Sequence, residues 1–405
     1  MLKKIIAILE PSFFIAVLVY FIVSAYFFLN KSAGAGDESL FISDLIFIKK
    51  EGWFAAIEKG MSIPYLLLTY PFSLLVKNHI ALRLVNIILV GLLVFYFKKQ
   101  KRQSKPYFYA YLGFFISTVG YFFIGTNDAL FFICCIIFLH QVYLLQKNKN
   151  WKGTLAISAL IIAFFTRELL IIYTPVLLLC FYMIYTEKGW GSIHKKHILI
   201  LVVVFLLINI PSILVTNKLS YDKKLPPENV NVNWVQRQYL AQLMVNNGEL
   251  KNYSHPSWSQ TQAYVTNNGT SSLPNTIVKA LTFDVKLTSI EFFKDLYFTC
   301  FFGFRQLGLI LVLPLIYMAQ MLFKSRRNFT ALLIPFSNVL MIGVFSLIII
   351  SFVELRWLAP FFIMSIVYFS DLQNEKIWNS KIVLANYSVL FLLSIYGICS
   401  LLSKY

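Results

Sequence analysis

The chain has 405 residues, 58% of them hydrophobic and only 13% charged, which excludes a soluble globular or disordered class. Repeated apolar runs of about 18 residues or more mark an all-α polytopic membrane protein, and no alternation of short strands suggests a barrel. The net charge of +18 invites a nucleic-acid partner, but Lys and Arg sit in short loops between apolar runs. There they orient the protein, and no nucleic acid is expected.

Lys3 and Lys4 precede the first apolar run, Phe13 to Leu29. No small-residue cleavage site follows it, so it reads as a retained span. The loop from 30 to 60 carries Gly36-Asp37-Glu38. Phe41, Leu45 and Ile48 then recur at helical spacing, as do Ile42 and Ile46, opposite Ser39, Ser43, Asp44, Lys50 and Glu51. With Trp53 and Phe54 behind them, they predict an amphipathic helix on the membrane interface. Met61 to Val76 is too short for a full span and reads as a re-entrant or partly inserted helix. Ile80 to Phe97 is a second span, returning to Lys98, Lys99 and Lys105. A third starts at Tyr107 and emerges at Gly125-Thr126-Asn127-Asp128; a fourth returns to Lys147 and Lys152.

Gly153 to Tyr185 is one long apolar run with Thr166-Arg167-Glu168 near its middle. As a single helix it would reach roughly 50 Å, against a hydrocarbon core of about 30 Å, with two charges at depth. Two short helices with an external turn at Arg167 and Glu168 fit better. The split also keeps Arg326 and Arg327 on the same side as Lys3, Lys98 and Lys188.

Ile198 to Val215 leads into one large external loop, 216 to 297, with short helices expected at Gln236 to Val245 and Ile277 to Leu281. Spans follow at Phe301 to Phe323, Phe329 to Phe352, from Leu358, and at Ile382 to Leu402. The total is about eleven spans in a single transmembrane domain, 1 to 405. The five Cys lie in apolar runs, with neither zinc spacing nor a disulfide pattern. His255, in the large loop, reads as a surface residue.

Oriented with basic loops inside, Asp37, Glu38, Asp128, Arg167, Glu168, Glu354 and Arg356 all fall at external ends of spans. Ionisable groups at such depth are functional candidates by default. Asp128 could position an acceptor or a metal-bound water, or it and Asn127 could cap a helix. Arg167 and Glu168 could close a hairpin as an ion pair or hold a phosphate or sugar. Arg356 is a phosphate ligand or a snorkelling anchor beside Trp357. Arg83, opening the second span near the first loop, could also reach a phosphate. External oxygen ligands would suit Mg²⁺ or Mn²⁺, but nothing specifies a metal or any other cofactor, and none is assigned.

Gly36-Asp37-Glu38, the amphipathic helix, Ile63-Pro64-Tyr65-Leu66-Leu67-Leu68 and Ala81-Leu82-Arg83-Leu84 together resemble the start of the GT-C integral-membrane glycosyltransferases. That superfamily includes protein O-mannosyltransferases and aminoarabinose transferases. The Thr-Arg-Glu turn and Glu354-Leu355-Arg356-Trp357 are similar to later motifs of the group. The resemblance covers the first hundred residues well and the remainder by topology. It implies a polyprenyl-phosphate-linked sugar donor and a glycan, lipid or protein acceptor. Transfer would be inverting and external, in a bacterial inner membrane (or the endoplasmic reticulum of a eukaryote). It implies Asp37 as catalytic base with Glu38 in support. Asp128, Arg167, Glu168, Glu354, Arg356 and Arg83 would bind substrate. The competing classes are an O-antigen polymerase or ligase, which would keep its essential Arg and His in the large loop, and a lipid or sugar transporter, which would spread charges through both membrane halves.

Overall fold

The computed structural model describes residues 2–34, 36–100, 105–147, 150–217, 219–220, 229–323 and 332–404, and every regular element among them is helical. The first nine helices are α1 (Leu2–Leu29), α2 (Glu38–Glu58), α3 (Ile63–Ser73), α4 (Asn78–Lys98), α5 (Pro106–Val119), α6 (Asp128–Gln146), α7 (Gly153–Thr166), α8 (Thr174–Thr186) and α9 (Lys195–Thr216). Then come α10 (Trp234–Asn246), α11 (Trp258–Asn268), α12 (Ile277–Phe283) and α13 (Val285–Leu307). The last are α14 (Leu309–Phe323), α15 (Leu333–Leu347), α16 (Ala359–Asn374) and α17 (Ser380–Leu402). Contacts group the chain into two units: Met1–Asp222 with Gly303–Asn338 and Leu358–Tyr405, and Lys223–Phe302 with Val339–Trp357.

Among the described residues six helices are long and apolar enough to cross a membrane: α1, α4, α6, α9, α16 and α17. A seventh crossing exists if the bent pair α13 and α14 is counted as one. This is the make-up of a multi-pass membrane protein. The remaining apolar runs give shorter helices. At about 1.5 Å per residue, a helix of some 14 residues reaches roughly 21 Å, less than a hydrocarbon core. The expected third span stops early because Gly120, at φ +67°, ends α5, and a Cβ there would lie 2.2 Å from the Phe28 ring. The expected single span Phe301 to Phe323 is broken at Gly308. Phe329, Arg326 and Arg327 lie outside the described residues.

In the first unit, α6 and α16 are buried along almost their whole length, with α4, α5, α7, α8 and α14 packed against them. α1 buries Phe13, Ala16, Val17, Tyr20 and Ser24 against α5 and α17, and turns Ile15, Leu18 and Ile22 outward. α7 buries Ala156, Ala159 and Ala163 and packs closely on α6. Small side chains let two backbones approach where lipid supplies no hydrophobic drive between helices. α6 and α7 run in opposite directions, so the start of α6 meets the end of α7. There the long apolar run divides as expected: Arg167 is extended (φ −154°, ψ 132°), and a tight turn, Glu168–Ile171, separates α7 from α8. α2 forms where periodicity placed it. Phe41, Leu45 and Ile48 are its buried face, Ile42 is half-buried and Ile46 is exposed.

The second unit builds its core from Val232, Tyr239, Leu240, Val265, Leu273, Ala280 and Ile349. α10 and α11 each start with a reciprocal capping box, Asn233 with Gln236 and Ser257 with Gln260. Those pairs stand in the sequence at the three-residue spacing that makes a box, so both starts were available to pattern reading.

Candidate active site

The first unit gathers a polar network at the end where α4, α6 and α7 meet the first loop. Its centre is Glu38, fully buried at the start of α2. Its Oε1 accepts from Arg83 Nε at 2.7 Å and from the Gly125 amide at 2.9 Å. Its Oε2 accepts from Arg83 Nη2 at 2.7 Å and from the Gly34 amide at 2.9 Å. Two parallel bonds from one guanidinium are the strongest geometry such a pair can adopt. Burial alone would raise the Glu38 pKa; Arg83 and the two amides outweigh it and hold the carboxyl below the usual range.

Arg83 is equally committed. Its Nη1 donates to the carbonyls of Leu29 (2.8 Å) and Lys31 (2.9 Å), and its Nη2 also donates to Ser32 O (3.2 Å). A guanidinium has five N–H donors, and all five are used. In this arrangement all five Arg83 donors and both Glu38 oxygens are taken by protein groups. Together they staple the end of α1, the first loop and α4. Gly125 completes the staple by close approach: a Cβ there would lie 2.4 Å from Leu82 Cβ and 2.9 Å from Glu38 Oε1.

Asp37 is placed differently. It sits at the cap position of α2, makes no side-chain cap bond and is half-exposed. It directly precedes Glu38, whose carboxylate accepts from the Gly34 amide.

Three residues beyond Gly125, Asp128 is buried and forms an ion pair with Arg167, whose side chain is 18% exposed. Asp128 Oδ2 also accepts from Thr126 Oγ1 at 3.2 Å. The hairpin ion pair between Arg167 and Glu168 is not formed: Arg167 turns to α6, and Glu168 is exposed. Nor does Asn127 cap α6. Its Nδ2 reaches Ser62 Oγ (3.2 Å) and Thr166 O (3.1 Å), and Ser62 Oγ donates to the same carbonyl at 2.9 Å. Asn86 Nδ2 donates to the carbonyls of Ile124 and Thr126. Ser220 Oγ donates to Met61 O at 2.8 Å, while its amide donates to Asn209 Oδ1 at 2.7 Å.

Sequence reading gave no role to Ser62, Asn86, Asn209 or Gly125. Asn86 and Asn209 carried a signal, since an amide inside an apolar span must find partners.

Glu354 and Arg356 belong to the second unit, where they form an ion pair with each other and Arg356 is nearly buried. In the same unit the exposed His255 bonds Gln238 at 3.0 Å. Among the described residues no three His, Cys, Asp or Glu side chains converge as a metal-ligand set. Cys134, Cys135 and Cys180 are buried; Cys300 and Cys399 are exposed.

Fold and site thus define an all-helical, multi-pass membrane protein with a buried carboxylate–guanidinium staple beside a half-exposed acid. No family model, no curated protein and no solved structure matches the chain.

Proposed function

We propose that the chain is a membrane glycosyltransferase of the GT-C type, moving a sugar from polyprenyl phosphate to an acceptor on the external face of a bacterial inner membrane. The observation that carries this reading is the contrast at Asp37-Glu38. One acid is half-exposed, and its neighbour is locked to Arg83 in the wall behind it. General-base chemistry needs a carboxylate that an acceptor can reach, held on a positioned backbone, and the partial exposure of Asp37 next to the anchored Glu38 supports that role.

In the proposed step an acceptor hydroxyl gives its proton to Asp37 as its oxygen attacks the anomeric carbon. The bond to phosphate breaks on the opposite side, its electron pair leaves with the phosphate, and the configuration inverts. Arg167, held by Asp128 yet partly open, supplies positive charge for the departing phosphate. Arg356 is a second candidate cation through its motif alone. In the accompanying topology the six long helices, the bent pair taken once, and α5, α7, α8 and α15 make up the eleven spans, and α2 lies at the interface.

The test is mass analysis of polyprenyl-linked sugars in cells with and without the protein. Deletion should enlarge one polyprenyl-phosphate sugar pool, and the wild-type gene but not Asp37→Asn should restore it. An unchanged lipid-linked pool on deletion would refute the reading.

A further inference from the structure

At the end of α7 and α9 opposite Arg167 lies a groove of about 550 Å³, within the first unit and independent of the glycosyltransferase reading. Its walls include Ile157 of α7 and Leu199 and Val202 of α9, and its rim carries Trp190, Lys195 and Lys196. The turn Gly189–Ser192 beside it is tied to residues 151–154 at the start of α7. Trp151 Nε1 donates to Gly189 O at 2.9 Å, and Thr154 Oγ1 donates to Ser192 O at 3.4 Å. Trp190 stacks on Phe181 at 6.3 Å and is still 46% exposed.

Three features converge on one kind of occupant. α9 presents Leu199, Ile200, Val203 and Leu206 outward, so the groove opens beside a surface suited to acyl chains. Lys195 and Lys196 are exposed, and neither has an acidic partner among the described residues. They also stand in the first turn of a 22-residue helix that has no side-chain cap, where the backbone dipole adds positive charge. Apolar walls beside two ammonium groups, with a tryptophan lining the same groove, match a lipid with an anionic headgroup.

We infer that this groove is a binding site for an anionic membrane phospholipid, an acyl chain lying against Ile157, Leu199 and Val202 and the phosphate held by Lys195 and Lys196. Competition between dioleoyl phosphatidylglycerol and dioleoyl phosphatidylethanolamine, read by native mass spectrometry of the detergent-purified full chain, tests it. Wild type should retain the anionic lipid preferentially. Lys195→Gln with Lys196→Gln should weaken its retention on the order of thirtyfold, two lysines at about 1 kcal/mol each near a membrane surface. Lys195→Arg with Lys196→Arg should keep the preference. Val202→Trp, which fills the groove, should lower retention of both lipids. Lys376→Gln with Lys381→Gln, an equal loss of charge elsewhere, should change nothing. Equal retention of the two lipids by wild type overturns the inference and needs no variant. So does unchanged binding in the glutamine pair, or an equal loss in the Lys376 and Lys381 control.

Discussion

Glu38 and Arg83, 45 residues apart in sequence, meet through two parallel hydrogen bonds of 2.7 Å with neither side chain appreciably exposed. Neither has a bonding position to spare. The carboxylate takes two further backbone amides, and the guanidinium three backbone carbonyls. A buried ion pair repays its desolvation only when the remaining donors and acceptors are also satisfied, and here they are.

Removing one partner should therefore cost more than a surface pair would. Glu38→Gln leaves Arg83 as a buried charge without its counter-ion, and Arg83→Gln leaves the carboxylate so; each should lose about 3–5 kcal/mol. Arg83→Lys should not rescue, since an ammonium cannot span two carboxylate oxygens and three carbonyls at once. Glu38→Leu with Arg83→Met should also remain destabilised, because the carbonyls of Leu29, Lys31 and Ser32 then lose their donor. Apparent thermal midpoints in detergent measure all of these. A double variant as stable as wild type would show that the pair does not staple the loop.

The same pair predicts an acid dependence. The Glu38 carboxyl is held below its ordinary value of 4.5, against the opposing effect of burial, by Arg83 and the amides of Gly34 and Gly125. A group with a depressed folded pKa adds stability that is fully present above its unfolded pKa and lost as pH falls through the folded one. The thermal midpoint should thus fall as pH drops below about 4.5. Glu38→Gln should start lower and show less of that fall. A parallel acid limb in the variant would assign the dependence to other carboxylates.

Much of this arrangement can be read in the sequence, and its limits have physical causes. The break at Thr166-Arg167-Glu168 was legible because two charges cannot sit in mid-span, and α2 because its apolar positions recur. Which of two adjacent acids turns inward was not. Neighbouring residues at a helix start point in different directions, and the choice depends on where Arg83 arrives from another helix and where the Gly125 amide falls, 87 residues away. The Asp128–Arg167 pair was hidden for a similar reason. Both residues stood out singly, but only the antiparallel packing of α6 on α7 brings them together. Helix lengths were overestimated where a hydrophobic run continues past a backbone stop, as at Gly120 and Gly308.

Gly125→Ala tests how tightly the turn before α6 is seated. The added methyl would fall 2.4 Å from Leu82 Cβ and 2.9 Å from Glu38 Oε1, so the turn or the carboxylate must shift. Overpacking of this kind costs about 1–3 kcal/mol, and the displaced amide also weakens the staple. The thermal midpoint should drop, and the Glu38-dependent acid limb should shrink with it. Full retention of both would mean that the turn can relax without cost.

Asp37→Asn separates chemistry from architecture. Asparagine keeps the size of the side chain and its hydrogen-bonding capacity at the start of α2, beside the buried staple and not within it. The thermal midpoint should therefore fall less than that of Glu38→Gln. If Asp37 takes the acceptor's proton, turnover should fall by about 10² to 10⁴, the usual contribution of a positioned base. Donor binding should change little, because the phosphate would be met by Arg167 and not by a carboxylate. Transfer of sugar from a polyprenyl-phosphate donor, assayed at saturating donor, reads the first effect, and donor titration the second. Asp37→Asn with normal turnover would remove this acid from the reaction, since Glu38 is too deeply bonded to replace it. A midpoint lowered as far as in Glu38→Gln would instead make Asp37 part of the staple, and the base would have to be sought among other acids of the chain.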